Sequence, residues 1–161
     1  GIMRSAFKAR KLDKAIEYAL TIEEDHRSTD ALKNEAQYII AKSYMSQSMR
    51  DEAIVVLKKL AANPSSAYGA VYMLITDAYD SGDFKEVENK VYAFSDSGSE
   101  QTYWLAKSFI ILGDSFVERG ELAQAKATFE SVKDGYTSTS DDVLSEVNMR
   151  LEKLQKLMTT K

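Results

Sequence analysis

The residues with the clearest chemical potential lie in the stretch EEDHRSTD, residues 23–30, which contains the only histidine of the chain. His26 could act as a general base, because imidazole titrates near neutral pH. Glu23, Glu24 and Asp25 could together hold a cation. However, no motif pairs a nucleophile with His26, and the chain has no cysteine. We therefore interpret His26 as a solvated cation near a helix C-terminus and its acidic neighbours as solvated, and we predict no catalytic residue and no metal site here.

Two further patterns could be mistaken for ligand sites. Asp77, Asp80 and Asp83 recur every third residue, but they lack the spacing and the terminal glutamate of a calcium loop. Gly113 and Gly120 are not part of a phosphate-binding loop, because no strand precedes them and no Lys-Ser/Thr pair follows. We expect neither an enzyme nor a bound cofactor. A hydrolase with paired carboxylates on a helical scaffold would require a deep pocket, and nothing in the sequence supports it.

The overall composition also excludes several classes of function. The chain has 161 residues, of which 44% are apolar and 29% charged, which is typical of a folded domain. The net charge of -4 is spread over interspersed acids and bases, so there is no basic stripe for nucleic acid. The apolar runs are too short to insert into a membrane. One proline and seven glycines leave long stretches free to be helical.

The elements that position these side chains recur along the chain. Four windows of fifteen residues, starting at residues 8, 46, 80 and 118, agree column by column. Their fifth, eighth, twelfth and fifteenth columns are mostly apolar, which is the spacing of one face of an α-helix. The eighth column holds slim residues and repeats at intervals of 38, 34 and 38 residues. Its members are Ala15, Ala53, Val87 and Ala125. A period in this range predicts a repeated pair of helices.

A second helical segment precedes each of the last three windows, and the residues between the two helices are typical of turns. Gly82 and Gly120 lie in the third column, where a turn often requires a positive φ. Gly113 lies inside a helix at a cost of about 1 kcal/mol relative to alanine, which predicts a close approach of the partner helix. Several hydroxyl residues are candidate N-caps for the first helices. They are Ser28, Thr29, Ser65, Ser66, Ser97 and Ser99.

At these residues the sequence resembles the tetratricopeptide repeat family, which places Leu-Gly and an aromatic residue in the first helix, glycine at the turn and alanine in the second helix. The best copy is carried by Leu112, Gly113, Phe116, Gly120, Leu122, Ala125, Phe129 and Val132. Two other copies match less fully. One ends at Pro64; in the other, Ile75 and Val87 replace small residues and Tyr79 lies one residue nearer the turn.

The resemblance implies an all-α fold: a right-handed superhelical solenoid of antiparallel helix pairs with a C-terminal capping helix. We predict a single domain over residues 1–161. It comprises a partial unit over 1–25, repeats at about 29–64, 66–96 and 100–134, and a capping helix over 141–158. The apolar stripe predicted for that last helix is Leu144, Val147, Leu151, Leu154 and Met158. The helical spacing at the start of the chain predicts a fragment of a longer protein, and the resemblance implies the C-terminal part of a bacterial member of the family.

In the resembled family, partners bind a concave groove lined by first helices, and we expect a non-enzymatic scaffold that holds a protein, peptide or helix there. The candidate groove residues are Tyr38, Lys42, Met45, Tyr72, Thr76, Tyr79, Tyr103, Trp104, Lys107, Ile110 and Asp114. The carboxylate clamp of chaperone-binding members is not expected, because the required asparagines are missing. The alternative is an architectural segment whose partner is its own upstream repeats or a second copy, bound through Ile2, Met3 and Phe7. The resemblance does not separate bacterial cytoplasm from envelope.

Overall fold

The structure, a computed structural model, describes residues 12–62, 68–97 and 102–160. Within these ranges the chain forms α-helices and turns and contains no strand, so the predicted all-α repeat class is confirmed. The handedness of a superhelix stays a prediction. Several features named above lie outside the described residues. They are the edge formed by Ile2, Met3 and Phe7, the caps Ser65, Ser66 and Ser99, and Pro64.

Eight helices fall within the described ranges. They are α1 (Leu12–Glu24), α2 (Asp30–Ser46), α3 (Arg50–Ala61), α4 (Tyr68–Asp80), α5 (Phe84–Asp96), α6 (Thr102–Glu118), α7 (Leu122–Gly135) and α8 (Val143–Thr159). None of them combines the length and the hydrophobicity needed to cross a bilayer.

The chain divides into two compact units, residues 1–74 and 75–161. In the first unit α2 packs against both α1 and α3, and the start of α4 joins a core with Leu57 and Leu60. In the second unit α6 packs against α5, α7 and α8, and α7 also packs against α8. Short connections between packed helices are typical of antiparallel helix pairs.

The slim columns predicted from the sequence are the core of these pairs. Ala15, Ala53, Val87 and Ala125 are each fully buried. The side chain that fills the space at Gly113 is Phe129, because a Cβ built on Gly113 would lie 2.3 Å from Phe129 Cε1. The partner helix therefore fills the space at Gly113 with an aromatic ring, and not through the close approach of two backbones by which the sequence analysis explained this glycine.

In the other two repeats, the same position between the two helices is filled by residues of different sizes. The residue pair equivalent to Gly113 and Phe129 is Ala41 with Leu57 in the first repeat and Ile75 with Val91 in the second, and all four are buried. A larger residue on the first helix is thus matched by a smaller one on the second, which keeps the summed volume similar. This complementarity explains why Ile75 can stand where the family has a small residue.

The three turns inside these helix pairs share one hydrogen-bond pattern. Met49 N donates to Tyr44 O, Asp83 N to Ala78 O and Glu121 N to Phe116 O, at 2.8, 2.9 and 2.8 Å respectively. Such bonds close a helix C-terminus around a residue in the left-handed region. Gly82 and Gly120 both have a φ of 75°, which confirms the predicted role of the turn glycines, and Ser48 has a φ of 61°.

This pattern aligns Ala78 with Phe116 and Tyr44, the residues of the family's aromatic position. Tyr79 is instead equivalent to Met45 and Val117, one residue further along its helix. The offset of Tyr79 seen in the sequence is therefore real, and it moves this tyrosine from the helix-pair core to the neighbouring face of α4.

The capping predictions are partly correct. Thr29 caps α2, because its side chain accepts a hydrogen bond from Leu32 N at 3.2 Å. Ser97, predicted to cap α6, is instead the C-cap residue of α5. In α8, Val147 and Leu154 are buried as predicted, whereas Met158 is 40% exposed and does not belong to the buried stripe.

Candidate functional site

The predicted partner-binding residues of the first unit lie on α2 and on the start of α4. Tyr38, Lys42 and Met45 follow one another at intervals of four and three residues, so they share one side of α2. All three are partly buried. Lys42 Nζ lies 5.4 Å from the centre of the Tyr38 ring, which is within range of a cation–π interaction.

The Tyr38 ring packs closely against α4 at Gly69, where there is no side chain in the way. A Cβ built on Gly69 would lie 3.1 Å from Tyr38 Cε2, so any larger residue would crowd the ring. Burial raises the pKa of Tyr38, and the nearby phenol of Tyr72 raises it further. The two phenols are therefore close enough to interact. We refer to Tyr38, Lys42, Met45 and Tyr72 as the tyrosine face.

In the second unit, Thr76 and Tyr79 lie on the last turns of α4, and both are partly buried. The Tyr79 hydroxyl donates to Glu118 Oε1 at 3.4 Å, and its ring centre is 5.7 Å from that of Phe84. Burial raises the pKa of Tyr79, and the carboxylates of Asp114 and Glu118 contribute in the same direction. Tyr79 is thus a neutral hydrogen-bond donor beside two acids.

Side chains at the start of α6 form ion pairs and a hydrogen bond with side chains at the start of α8. Lys107 Nζ lies 2.9 Å from Asp142 Oδ2 and 2.9 Å from Glu146 Oε2, and Lys107 is only 9% exposed. The Tyr103 hydroxyl donates to Asp142 Oδ1 at 3.0 Å, and its ring meets Trp104 edge-on at 5.1 Å. Trp104 is partly buried. The hydrogen bond from Lys107 lowers the pKa of Asp142, so this carboxylate stays ionised.

Two further predicted residues of α6 also face inward. Ile110 is 1% exposed, so the structure places it in the core. The single Nε–H of Arg150 donates a bifurcated hydrogen bond to the two carboxylate oxygens of Asp114, at 2.9 and 3.1 Å. Burial raises the pKa of Asp114, and the hydrogen bond from Arg150 opposes that shift. Asp114 and Arg150 therefore form a partly buried ion pair between α6 and α8.

The residues that sequence reasoning missed are the α8 members of this network, Asp142, Glu146 and Arg150. They follow one another at intervals of four, so they occupy one side of α8, and this signal was available in the sequence. It was overlooked because the sequence analysis followed only the apolar stripe of this helix. These ion pairs, Lys107 with Asp142 and Glu146 and Asp114 with Arg150, hold α8 against α6, and we refer to them as the charge seam.

Residues 23–30 form the connection from the end of α1 to the start of α2. His26 is exposed, and Asp25 is paired with Arg27 at 3.1 Å. Asp83 caps α5 by accepting a hydrogen bond from Glu86 N at 3.2 Å. Within residues 12–62, 68–97 and 102–160, no group of histidine and acidic side chains is arranged to hold a metal ion.

Recurrent helix pairs with the same turn and the same complementary core define a helical-repeat protein. Comparison with protein families identifies the repeat: the tetratricopeptide repeat model matches residues 35–66 and 103–138, which cover most of α2 and α6 and all of α3 and α7. Residues 35–66 and 103–138 are therefore tetratricopeptide repeats. Comparison with curated proteins and with solved structures finds no match.

Tetratricopeptide repeats are generally protein–protein interaction modules and form a non-enzymatic repeat family. The family therefore supports a scaffold role for this chain and a protein as its partner.

Proposed function

We propose that the chain is a non-enzymatic scaffold that holds a peptide or a helix of another protein against the partly buried faces of its first helices. Under this proposal the tyrosine face is the main contact in the first unit. Thr76, Tyr79 and Trp104 contribute in the second unit. Nucleic acid is not a partner in this proposal. The net charge is -4, and basic and acidic side chains are interspersed along the chain, so there is no basic stripe to contact phosphates.

The observation that carries the proposal is the arrangement of Tyr38, Lys42 and Tyr72. Two phenols and an ammonium group lie near one another on α2 and the start of α4, and all three side chains are partly buried. Tyrosine combines broad, stiff contact area with a polar tip, and such residues dominate the binding energy of protein interfaces. Lys42 adds a charge that would select an acidic or carbonyl-rich segment.

Lys107 and Asp114 have a different part in this proposal. Both are engaged by α8, through Asp142 and Glu146 on one side and Arg150 on the other. Their contribution is to keep α8 in place, so that the partner meets a fixed surface. Ile110 supports the same packing from the core.

The proposal is tested by affinity capture from the source organism with the native chain and with Tyr72→Ala. Tyr92→Ala is the matched control, because Tyr92 lies on a second helix and is 46% exposed. We expect the captured protein to be lost with Tyr72→Ala and retained with Tyr92→Ala. Equal retention with both variants, once each is shown to be folded by circular dichroism, would refute the tyrosine face as the binding surface.

A further inference from the structure

A cleft between α6 and α8 of the second unit lies beside the charge seam and has no assigned role. Its volume is about 160 Å³, and Val117, Leu154 and Leu157 line its apolar side. Small-molecule and cofactor sites usually measure roughly 300 to 1,000 Å³. This cleft has room for about five water molecules, or for one aliphatic side chain. Its size therefore indicates a single side chain of a larger partner rather than a metabolite.

The floor of the cleft is firm and apolar. Phe129 and Leu154 are 1% and 2% exposed, and the Phe129 ring is set in place by the missing side chain at Gly113. Leu157, in contrast, lines the cleft and is 48% exposed. An aliphatic side chain entering the cleft would therefore cover Leu157 and meet a surface that does not need to rearrange.

The charged residues around the cleft differ in whether another residue of the second unit forms an ion pair or a hydrogen bond with them. Arg150 is paired with Asp114, and Glu118 accepts a hydrogen bond from Tyr79. Lys153 also lines the cleft, is exposed, and makes no ion pair or hydrogen bond with any residue in the described part of the chain. Lys153 is thus the cation that can accept a carboxylate from outside without giving up a partner.

We propose that this cleft receives one aliphatic side chain of a partner protein and that Lys153 binds a carboxylate on the residue next to it. The occupant is therefore a peptide segment in which an acidic residue adjoins a leucine-sized apolar residue. This inference rests on the proposed function, since it takes the partner to be a protein, and it adds a second contact with its own sequence preference.

The test uses the full chain, labelled with ¹⁵N, and short capped peptides as probes. The first peptide contains glutamate followed by leucine, the second glutamine followed by leucine, and the third glutamate followed by alanine. We expect the first peptide to shift the amide resonances of Val117, Lys153 and Leu157. We expect the glutamine peptide to bind about threefold more weakly, as for an exposed ion pair, and the alanine peptide about tenfold more weakly because less apolar surface is buried.

Charge reversal separates recognition at the cleft from general attraction. Lys153→Glu should abolish the preference for glutamate over glutamine and favour a lysine–leucine peptide instead. Lys156→Glu is the matched control, because Lys156 is exposed on the same helix and does not line the cleft. The inference is overturned if the glutamine peptide binds as tightly as the glutamate peptide, if Lys156→Glu has the same effect as Lys153→Glu, or if the shifted resonances lie elsewhere.

Failure of this inference can be told apart from failure of the proposed function. If no peptide shifts the cleft resonances while Tyr72→Ala still abolishes partner capture, only the cleft is refuted. If the peptides bind with the expected preferences while Tyr72→Ala captures as well as the native chain, the cleft is supported and the tyrosine face is not.

Discussion

Replacing Gly113 by alanine tests whether the α6–α7 crossing depends on a missing side chain. Two effects oppose each other. Alanine is favoured over glycine inside a helix by about 1 kcal/mol, whereas overpacking a well-packed core typically costs about 1 to 3 kcal/mol. The added Cβ would lie 2.3, 2.7 and 2.8 Å from three atoms of the Phe129 ring, well inside van der Waals contact.

The environment of Phe129 decides which effect is larger. The ring is 1% exposed and forms part of the core, so it cannot move aside without disturbing neighbours. We therefore expect the upper part of the overpacking range, and a net loss of about 1 to 2 kcal/mol in the free energy of unfolding. Urea unfolding followed by circular dichroism at 222 nm measures this change.

Two comparisons make the result specific. In a Phe129→Leu background the clash is removed, so Gly113→Ala should become neutral or stabilising by up to about 1 kcal/mol. Gly135→Ala, at a helical glycine where a Cβ meets no atom within 4 Å, should not destabilise the chain. If Gly113→Ala stabilises the native chain, or if its effect is unchanged in the Phe129→Leu background, the packing argument is wrong.

Three other predictions concern a turn, the charge seam and the loop before α8. Ser48→Gly should raise the free energy of unfolding by about 1 kcal/mol in urea titrations, because serine is strained at a φ of 61°. Lys107→Met should lower it by about 1 kcal/mol at neutral pH. That loss should shrink in urea titrations at about pH 3. Lys107 lowers the pKa of Asp142, so the stabilisation from this ion pair is fully present above pH 3.8, the ordinary pKa of an aspartate, and is lost as the pH falls below it. Asp141→Asn should move the pKa of Tyr136 from about 12 back toward 10, as followed by tyrosinate absorbance, because the hydrogen bond to Asp141 holds the phenol neutral.

Each of these has a clear contrary outcome. A destabilising Ser48→Gly would mean that the serine side chain contributes more than the strained backbone costs. An equal effect of Lys107→Met at both pH values would show that the seam acts through apolar packing and not through Asp142. For Tyr136, the raised pKa means that stability is present below pH 10 and is lost between 10 and 12 as the unfolded phenol ionises first. Loss of stability only above that window would contradict the assigned hydrogen bond.

The repeat could be read from the sequence because it depends on local rules. Slim residues at one column predicted the buried contacts of Ala53 and Ala125, and glycines at another predicted the positive φ of Gly82 and Gly120. Backbone conformation at a turn and the periodicity of a helix face are set by residues close in the chain, so column agreement was sufficient. Ser48 stands at the equivalent turn position, but no left-handed conformation was predicted for it, because serine does not favour that region.

Much of the surface chemistry depended on contacts between residues far apart in the chain. Lys107 and Asp114 were predicted on an open face, but they lie 35 and 36 residues from the α8 groups that bind them. Likewise, the cleft near Lys153 exists only because α4, α6, α7 and α8 meet there. A sequence pattern determines which side of a helix is apolar. Which charged groups find partners, and which stay available to another protein, is decided when the helices pack, because Coulomb and hydrogen-bond energies depend on distances that packing alone sets.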